Sequence, residues 1–533
     1  MTKRGDQSRP EDAREMLSIT RGNAFPRVPL VGLGVVAVCL SVLRRQKPDV
    51  RFLAAVLAAK STYRATRLLG RSGGTALPGV IAERVDPAVI AKAARSLTYG
   101  AIIVAGTNGK TTTSRLLTEI LTAGGYRVIN NGAGSNLSRG IAAAFARASG
   151  FTGRLHADIA VLETDEAAFP AIAAAVRPRM VVLNNLFRDQ LDRYGELNSV
   201  ATRWEAALAA LPPGAVLVYD ADDPMLCALA ERAAPGIVRV PFGLGAHQYG
   251  LPALSHAADS IHCPKCGTPL RYHTLSVGHL GDWYCPTGDN ARPPLAFAAT
   301  AITLDGMDSA RFAVTSPNHH NDNGGTENAE PDVETQLPGL YNVYNALGAI
   351  AAAITVGVSP EITATAARRF VPPFGRIERV SLHRRRLTLL LIKNPTGANE
   401  VLRLLAATPT APLLIAINDL TADGRDVSWL WDTDFEVLGA HTAPIIVSGI
   451  RAADMAVRLK YAGVPEAQIT AVPEIADALV AVAERAAPGA EVYVLPTYTA
   501  MLAARESLAK HGAIADVWAT AEHTAKQQVA SSE

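Results

Sequence analysis

Cysteine is scarce in this chain, with five among 533 residues. Cys263, Cys266 and Cys285 crowd one short segment, while Cys39 and Cys227 stand alone. That is too few and too clustered for a secreted disulfide framework, so a reducing cytoplasm is the expected compartment. Charge of one sign is also in short supply. A net charge of +2 with 19% charged residues argues against a dedicated nucleic-acid or polyanion binder, and no nucleic-acid partner is expected. Long apolar runs are missing too. The nearest approach, Val28–Leu43, contains Pro29, Gly32 and Gly34 between Arg27 and the basic Arg44, Arg45 and Lys47. A transmembrane helix wants about 20 apolar residues, so this stretch reads either as a membrane anchor or surface insertion, or as a helix docked on protein. No small-residue cleavage pattern follows it, which argues against a signal peptide.

What the chain does have is a phosphate cradle. The run Val104-Ala105-Gly106-Thr107-Asn108-Gly109-Lys110-Thr111-Thr112-Thr113 lies between an apolar strand pattern and an amphipathic helix pattern. Gly106 and Gly109 let the backbone turn with its N–H groups facing inward, and Lys110 opens a helix whose N-terminal dipole favours anions. Lys110 is placed to reach terminal phosphates, and Thr111 stands where a P-loop hydroxyl ligates Mg²⁺. Thr107, Asn108 and Thr112 complete the candidate nucleotide-binding set. The general P-loop pattern has a further glycine where this chain has Val104, so the loop is a variant.

From residue 97 to about 250, apolar runs alternate with helical periods, the pattern of a doubly wound parallel sheet. Strands are expected at Ala101–Ala105, Arg127–Asn130, Ile159–Glu163, Met180–Asn184 and Val216–Tyr219. Chemistry in such sheets gathers at the carboxyl ends of the strands. There the chain carries Glu163-Thr164-Asp165-Glu166, then Asn184-Asn185-Leu186-Phe187-Arg188-Asp189. Glu163 pairs naturally with Thr111 as a Mg²⁺ ligand, whereas Glu166 reads as part of an acidic cluster at a helix N-terminus.

The alternation breaks between about 250 and 336. His262-Cys263-Pro264-Lys265-Cys266-Gly267 looks like half of a zinc ribbon, and Tyr284-Cys285-Pro286-Thr287-Gly288 like the other half with Gly288 in place of its last cysteine. His262, His273, His279 or Asp289 are the candidates to complete a tetrahedral site, and a decayed ribbon without metal is the alternative. Residues 316–335 lack any apolar period and read as a disordered loop. A helical pattern returns at Tyr341–Thr355. After Phe374–Glu378 a second α/β alternation runs to about 515, with strands expected at Leu387–Ile392, Leu413–Ile417, Pro444–Val447 and Glu491–Leu495.

The expected organisation is an extension at 1–50 and a central ATP-binding α/β domain at 51–375, with a ribbon-like insertion at 253–300. A second, Rossmann-like α/β domain at 376–515 and a tail at 516–533 follow. In the second domain Lys393-Asn394-Pro395 follows a strand, and Asp423–Asp432, with Trp429 and Trp431 among its acids, follows the next.

Gly106–Thr113, Leu162–Ala167, Leu186–Glu196, Tyr219–Pro224, Gly339–Ala346 and Phe374–Glu378 together resemble the Mur ligase family. The ribbon, Lys393–Gly397, Asp423–Asp432, Ser448–Arg451 and Pro496–Ala500 are similar to its MurT branch. The resemblance covers about residues 51 to 510 and implies an ATP- and Mg²⁺-dependent ligase that works with a GatD-like glutamine amidotransferase subunit. Its implied reaction amidates the α-carboxylate of D-glutamate in lipid II, at the inner face of the plasma membrane. By the same resemblance Asn345 faces the adenine or ribose, Arg376 lies at the hinge near the γ-phosphate, and Asp426 meets the partner's Cys-His pair.

Two departures bear on that expectation. Many amino-acid-adding Mur ligases carry a carbamylated lysine after the second acidic loop, and no lysine lies between Asp189 and Gly214 here. The ribbon lacks its fourth cysteine. Two competing functions are open to the sequence: a conventional Mur or folylpolyglutamate-type ligase adding an amino acid, and a non-enzymatic ATP-binding scaffold. The chain has no Cys-His nucleophile arrangement of its own, so glutaminase activity is not expected of it alone.

Overall fold

The apolar run Ala101–Ala105 is buried along its whole length and forms β1, inside a nine-stranded sheet. The structure, a computed structural model, describes residues 49–68, 76–132, 135–189, 196–288, 290–316, 332–371 and 377–513. The segment 28–43, Asp289, Arg376 and the tail 516–533 lie outside the described residues. No helix among the described residues is long and apolar enough to cross a membrane.

The strands that follow are β2 (Val128–Asn130), β3 (Ile159–Glu163), β4 (Met180–Leu183), β5 (Val216–Asp220) and β6 (Val238–Leu244). All pair in parallel, and β1 lies between β3 and β4. The chain therefore leaves β1 in one direction for β2 and β3 and returns across it to β4, which makes the carboxyl end of β1 a topological switch point. Alternate residues of β1 supply both faces. Ile103 packs with Leu162, Phe145 and Trp204, whereas Ile102 and Val104 pack with Leu116, Leu117 and Ile350. Burial on both faces explains why these strands read as continuous apolar runs.

Between residues 250 and 336 the structure departs from the sequence reading. A hairpin of β7 (Arg271–Val277) and β8 (Leu280–Tyr284) stands apart as a two-stranded sheet. β9 (Phe297–Asp305), β10 (Ser309–Thr315) and β11 (Asp332–Thr335) extend the main sheet beyond β6, the last two antiparallel. Residues 332–335, expected inside a disordered loop, are thus a paired edge strand with Val333 and Thr335 buried. Four residues of polar and apolar alternation are too short to show a period without their partner strand; residues 317–331 lie outside the described set.

The second sheet has six strands in the order β12-β13-β17-β14-β15-β16. They are β12 (Glu378–Leu382), β13 (Arg385–Leu389), β14 (Leu413–Ala416), β15 (Ile445–Ser448), β16 (Ile469–Ala471) and β17 (Glu491–Pro496). All neighbours pair in parallel except β12 with β13. This sheet has two cores of its own, one around Leu402, Ile415 and Phe435 and one around Leu389, Ile446 and Met501.

Candidate active site

Gly106 leaves β1 at φ 146° and Gly109 turns the loop into the helix Lys110–Ala123 at φ 81°. At Gly109 a Cβ would sit 1.7 Å from Asn345 Oδ1, so glycine is required by both backbone and space. The exit from β4 holds the loop in place. Thr107 N donates to Asn185 O at 3.0 Å and Asn108 N to Asn185 Oδ1 at 2.8 Å. Thr107 Oγ1 donates to Phe187 O at 3.0 Å and accepts from Phe187 N at 2.9 Å. Asn184 Nδ2 donates to Thr113 Oγ1 at 2.9 Å. The polar run after β4 is therefore the outer wall of the cradle.

Lys110 is buried, and its Nζ donates to Thr107 O at 3.1 Å and to Glu166 Oε1 at 2.8 Å. Burial, the largest single influence, lowers the lysine's proton affinity, but the Glu166 charge and hydrogen bond together with the charges of Asp189 and Glu163 outweigh it and hold Lys110 above its ordinary range. Glu166 thus differs from its expected place. It lies short of the next helix, Phe169–Val176, where it would meet a dipole, and turns inward to the lysine instead.

Thr111 Oγ1 donates to Glu163 Oε1 at 3.1 Å. Asn131 brackets the Glu163 backbone, donating to its carbonyl at 2.9 Å and accepting from its N–H at 2.8 Å. A hydroxyl and a carboxylate brought together beside a phosphate loop are the oxygen donors that a hard cation takes, so this pair fits Mg²⁺. Thr112 is buried behind the loop. Asn345 packs on Gly109 and donates to Asn342 Oδ1 at 3.0 Å.

The second domain completes the site. Lys393 Nζ reaches across to Asp189 Oδ2 at 2.6 Å and Thr107 O at 3.4 Å. Asn394, which caps the helix Pro395–Leu405, donates to Asn108 Oδ1 at 2.9 Å. Arg188 Nη1 approaches Asp432 Oδ2 at 3.3 Å, and His256 Nδ1 approaches Asp434 Oδ1 at 2.6 Å. Lys393 was legible as a strand-end polar residue, but nothing local tied it to the loop. Three buried polar atoms at the cradle, Asn108 Nδ2, Asn184 Oδ1 and Asp189 Oδ1, have no hydrogen-bond partner among the described residues. Buried polar groups are rarely left so, and a polar ligand or ordered water at the cradle would satisfy them.

Residues 104–279 match the Mur ligase middle domain, and residues 391–501 match the MurT ligase C-terminal domain. The MurT subunit of lipid II isoglutaminyl synthase (glutamine-hydrolyzing) from Streptococcus pneumoniae is 32% identical over 457 residues, 85% of this chain and 96% of that one. Its counterpart from Staphylococcus aureus is 31% identical over 412 residues, 77% of this chain and 88% of that one. This chain belongs to the MurT branch of the Mur ligase family. Solved structures share the fold of this MurT-family chain at lower identity. A pseudomurein peptide ligase type C from Methanothermus fervidus aligns with a TM-score of 0.57 at 19% identity, covering 77% of this chain and 78% of that one. MurF from Acinetobacter baumannii aligns with a TM-score of 0.55 at 16% identity, covering 80% of each.

In this MurT-family chain Cys263, Cys266 and Cys285 come together, their sulfur atoms within 4.8 Å of one another. Three sulfurs this close are three quarters of a tetrahedral zinc set. None of the expected histidines joins them among the described residues. His279 is buried against Phe187, ring centres 4.3 Å apart, and His273 stacks on Tyr284 at 4.7 Å. At Gly288 a Cβ would point to within 3.9 Å of Cys285 Sγ, which is where a fourth thiol would enter. Contacts with Thr268 pull the Cys266 thiol down to about 6.

Asp426 sits elsewhere, on the loop leaving β14, with Oδ1 accepting from Ser428 N at 2.8 Å. No hydrogen bond or ion pair joins it to Lys110 or Glu163. Nearby, Asp423 accepts from Thr499 N at 2.7 Å, and Asn418 Nδ2 donates to Thr499 Oγ1 at 3.0 Å. Leu420, Ile450 and Tyr498 border this polar knot and are exposed.

Proposed function

We propose that this chain is the ligase subunit of a lipid II amidating enzyme, converting the α-carboxylate of D-glutamate in the stem peptide to the carboxamide of D-isoglutamine. The observation that carries the reading is the convergence of Lys110 and Lys393, from two domains, on one phosphate loop. ATP donates its γ-phosphoryl to a carboxylate oxygen, which turns a poor acyl donor into an acyl phosphate. Ammonia then attacks the carbonyl carbon, the C–O bond to phosphate breaks, and inorganic phosphate leaves as the nitrogen gives up one proton to it or to solvent. Such transfers need positioning and charge neutralisation more than covalent help from the protein. Lys110 and Lys393 supply positive charge, Thr111 and Glu163 hold the metal, and Asn184 and Asn185 fix the loop. Mg²⁺, when bound, neutralises phosphate oxygens. In the same reading Asn345 takes the nucleoside side of the cradle and Arg376 the γ-phosphate.

Ammonia comes from a GatD-like glutamine amidotransferase subunit. Its docking surface is the carboxyl edge of the second sheet, where Leu420, Ile450 and Tyr498 offer apolar contact beside Asp426. Asp426 is the acid that supports the partner's Cys-His pair. An Asp426→Asn variant should lose glutamine-dependent amidation while ammonium-dependent amidation persists; full glutamine-dependent activity would sink the assignment. The complex works at the inner face of the plasma membrane, with Val28–Leu43 as the membrane contact.

The direct test incubates the full chain with Mg-ATP, lipid II and either ammonium or free amino acids, and weighs the lipid product. A carboxyl-to-carboxamide change with ammonium supports the reading. An amino-acid adduct replaces it with a conventional ligase, and a Lys110→Ala variant with full activity in the assembled complex replaces it with a scaffold.

A further inference from the structure

The helix Ser138–Ala148 connects the acidic loop of the cradle with a second feature. Just before its start, Asn136 O accepts from Asp165 N at 3.0 Å, beside Glu163 and Glu166. Its far end forms one wall of an open groove whose other wall is the helix Val50–Leu68. The groove floor is small and apolar, with Ala59, Ala143 and Ala146, and its rim is cationic, with Lys60, Arg64 and Arg147.

Lys60 Nζ lies 5.3 Å and the Arg64 guanidinium 5.5 Å from the centre of the Phe151 ring, which is 61% exposed. Lys60 also donates to Arg147 O at 3.3 Å. Among the described residues no carboxylate pairs with any of the three. Burial and the Arg64 charge hold Lys60 below the usual lysine range. The carbonyl end of the helix accounts for about half a unit of negative charge, too little to balance three cations. A chain with a net charge of only +2 has no general excess to explain the cluster. The Arg64 charge acts against that of Lys60, burial disfavours the charged form of Arg147, and an anion held in the groove would relieve both.

We infer that this groove receives the pyrophosphate of the polyprenyl-linked muramyl peptide, with Lys60, Arg64 and Arg147 on its phosphate oxygens and Phe151 against the adjoining apolar or sugar surface. The inference rests on the amidation reading above and names the part of the substrate remote from the chemistry. The spacing suits it. Ser138 to Arg147 spans about 14 Å at roughly 1.5 Å per residue. The lactyl, alanyl and glutamyl units between sugar and α-carboxylate cover on the order of 10 Å at about 3.5 Å each, with the sugar ring adding to that. A pyrophosphate in the groove therefore leaves the peptide long enough to bring its carboxylate to the cradle.

The test compares the full chain with its Lys60→Ala/Arg64→Ala/Arg147→Ala variant, using Mg-ATP and ammonium. One substrate is a water-soluble, short-chain prenyl-pyrophosphoryl muramyl pentapeptide, and the other is the same muramyl pentapeptide without pyrophosphate. KM for the first should rise about tenfold or more, as expected for loss of several charge-assisted contacts, with kcat within about twofold. KM for the second should move by less than about twofold. Equal changes on both substrates, or none on either, overturn the inference. If the variant loses only its binding to phosphatidylglycerol vesicles, the groove is a membrane-headgroup surface and the inference also falls.

Calorimetric titration with a short-chain prenyl pyrophosphate needs no turnover. Binding by the parent chain that the variant loses supports the groove even if no substrate is amidated, which would fault the functional reading alone. No binding by the parent chain overturns the groove even if amidation is observed. Should the triple variant fail to fold, Arg64→Ala, at an exposed position, carries the same comparisons with a smaller expected KM change.

Discussion

Lys110 Nζ lies 2.8 Å from Glu166 Oε1, and both side chains are buried. The lysine that would neutralise a triphosphate thus has a buried carboxylate as its partner. Without Glu166 the ammonium would be left short of its nearest buried counter-charge.

Removing that carboxylate exposes the arrangement. Glu166→Gln leaves Lys110 short of its counter-charge and should destabilise the nucleotide-free protein by about 3 kcal/mol, the lower end of the cost of breaking a buried pair. Mg-ATP should restore more of the lost unfolding midpoint in the variant than it adds to the parent chain. Thermal unfolding with and without Mg-ATP checks this, and equal nucleotide stabilisation in both proteins would contradict it.

Lys393 faces Asp189 at 2.6 Å across the domain boundary. Lys393→Ala should lower kcat by about a hundredfold, as expected for loss of a charge that stabilises the transferring phosphoryl group, with a smaller effect on KM for ATP. It should also weaken the contact between the two domains that Lys393 makes with Asp189 and Thr107, read as a larger radius of gyration in solution scattering. A variant with unchanged kcat would remove Lys393 from the site.

Glu400 is buried on the helix Pro395–Leu405, and burial raises its carboxyl to about 7, only partly offset by Arg403. The folded protein therefore holds this proton more tightly than the unfolded chain. Stability from this group is greatest below pH 4.5 and is lost as pH rises towards 7, by about 3 kcal/mol in total. Glu400→Gln should raise the unfolding midpoint at pH 8 relative to the parent chain and leave it nearly unchanged at pH 4. Unfolding scans at the two pH values decide it, and an equal shift at both would show that titration is not the cause.

The three-cysteine group should bind one zinc ion per chain through Cys263, Cys266 and Cys285, with solvent or a residue outside the described set as fourth ligand. Metal analysis of the purified chain should show that Cys285→Ser lowers the content and that Gly288→Cys raises the affinity. Without metal, Cys266 should be alkylated readily at pH 7 because its thiol is lowered to about 6, and added zinc should protect it. Zinc-independent alkylation would exclude the group as a metal site.

The local parts of the site were legible because local geometry makes them. β1 and β3 fall on the expected residues, Ala101–Ala105 and Ile159–Glu163, since buried parallel strands are short apolar runs between turns. The helix after the loop ends at Ala123, before Gly124-Gly125. Thr111 meets Glu163 because neighbouring parallel strands deliver both to one edge of the sheet. β11 was missed because it becomes a strand only beside β10.

By itself, then, the sequence determined the glycine loop Gly106–Thr113, its strand and helix, the pairing of Thr111 with Glu163 and the family resemblance. All of these reside in contiguous residues or in the regular spacing of an α/β unit. Tertiary structure alone decided that Glu166 turns inward to Lys110, that Lys393 and Asn394 close over the loop, and that His279 packs under Phe187 and away from the cysteines. Those pairings depend on strand order and on how the second domain seats against the first. Lys393 and Asp189 are 204 positions apart, and no period or spacing along the chain encodes a contact over that separation.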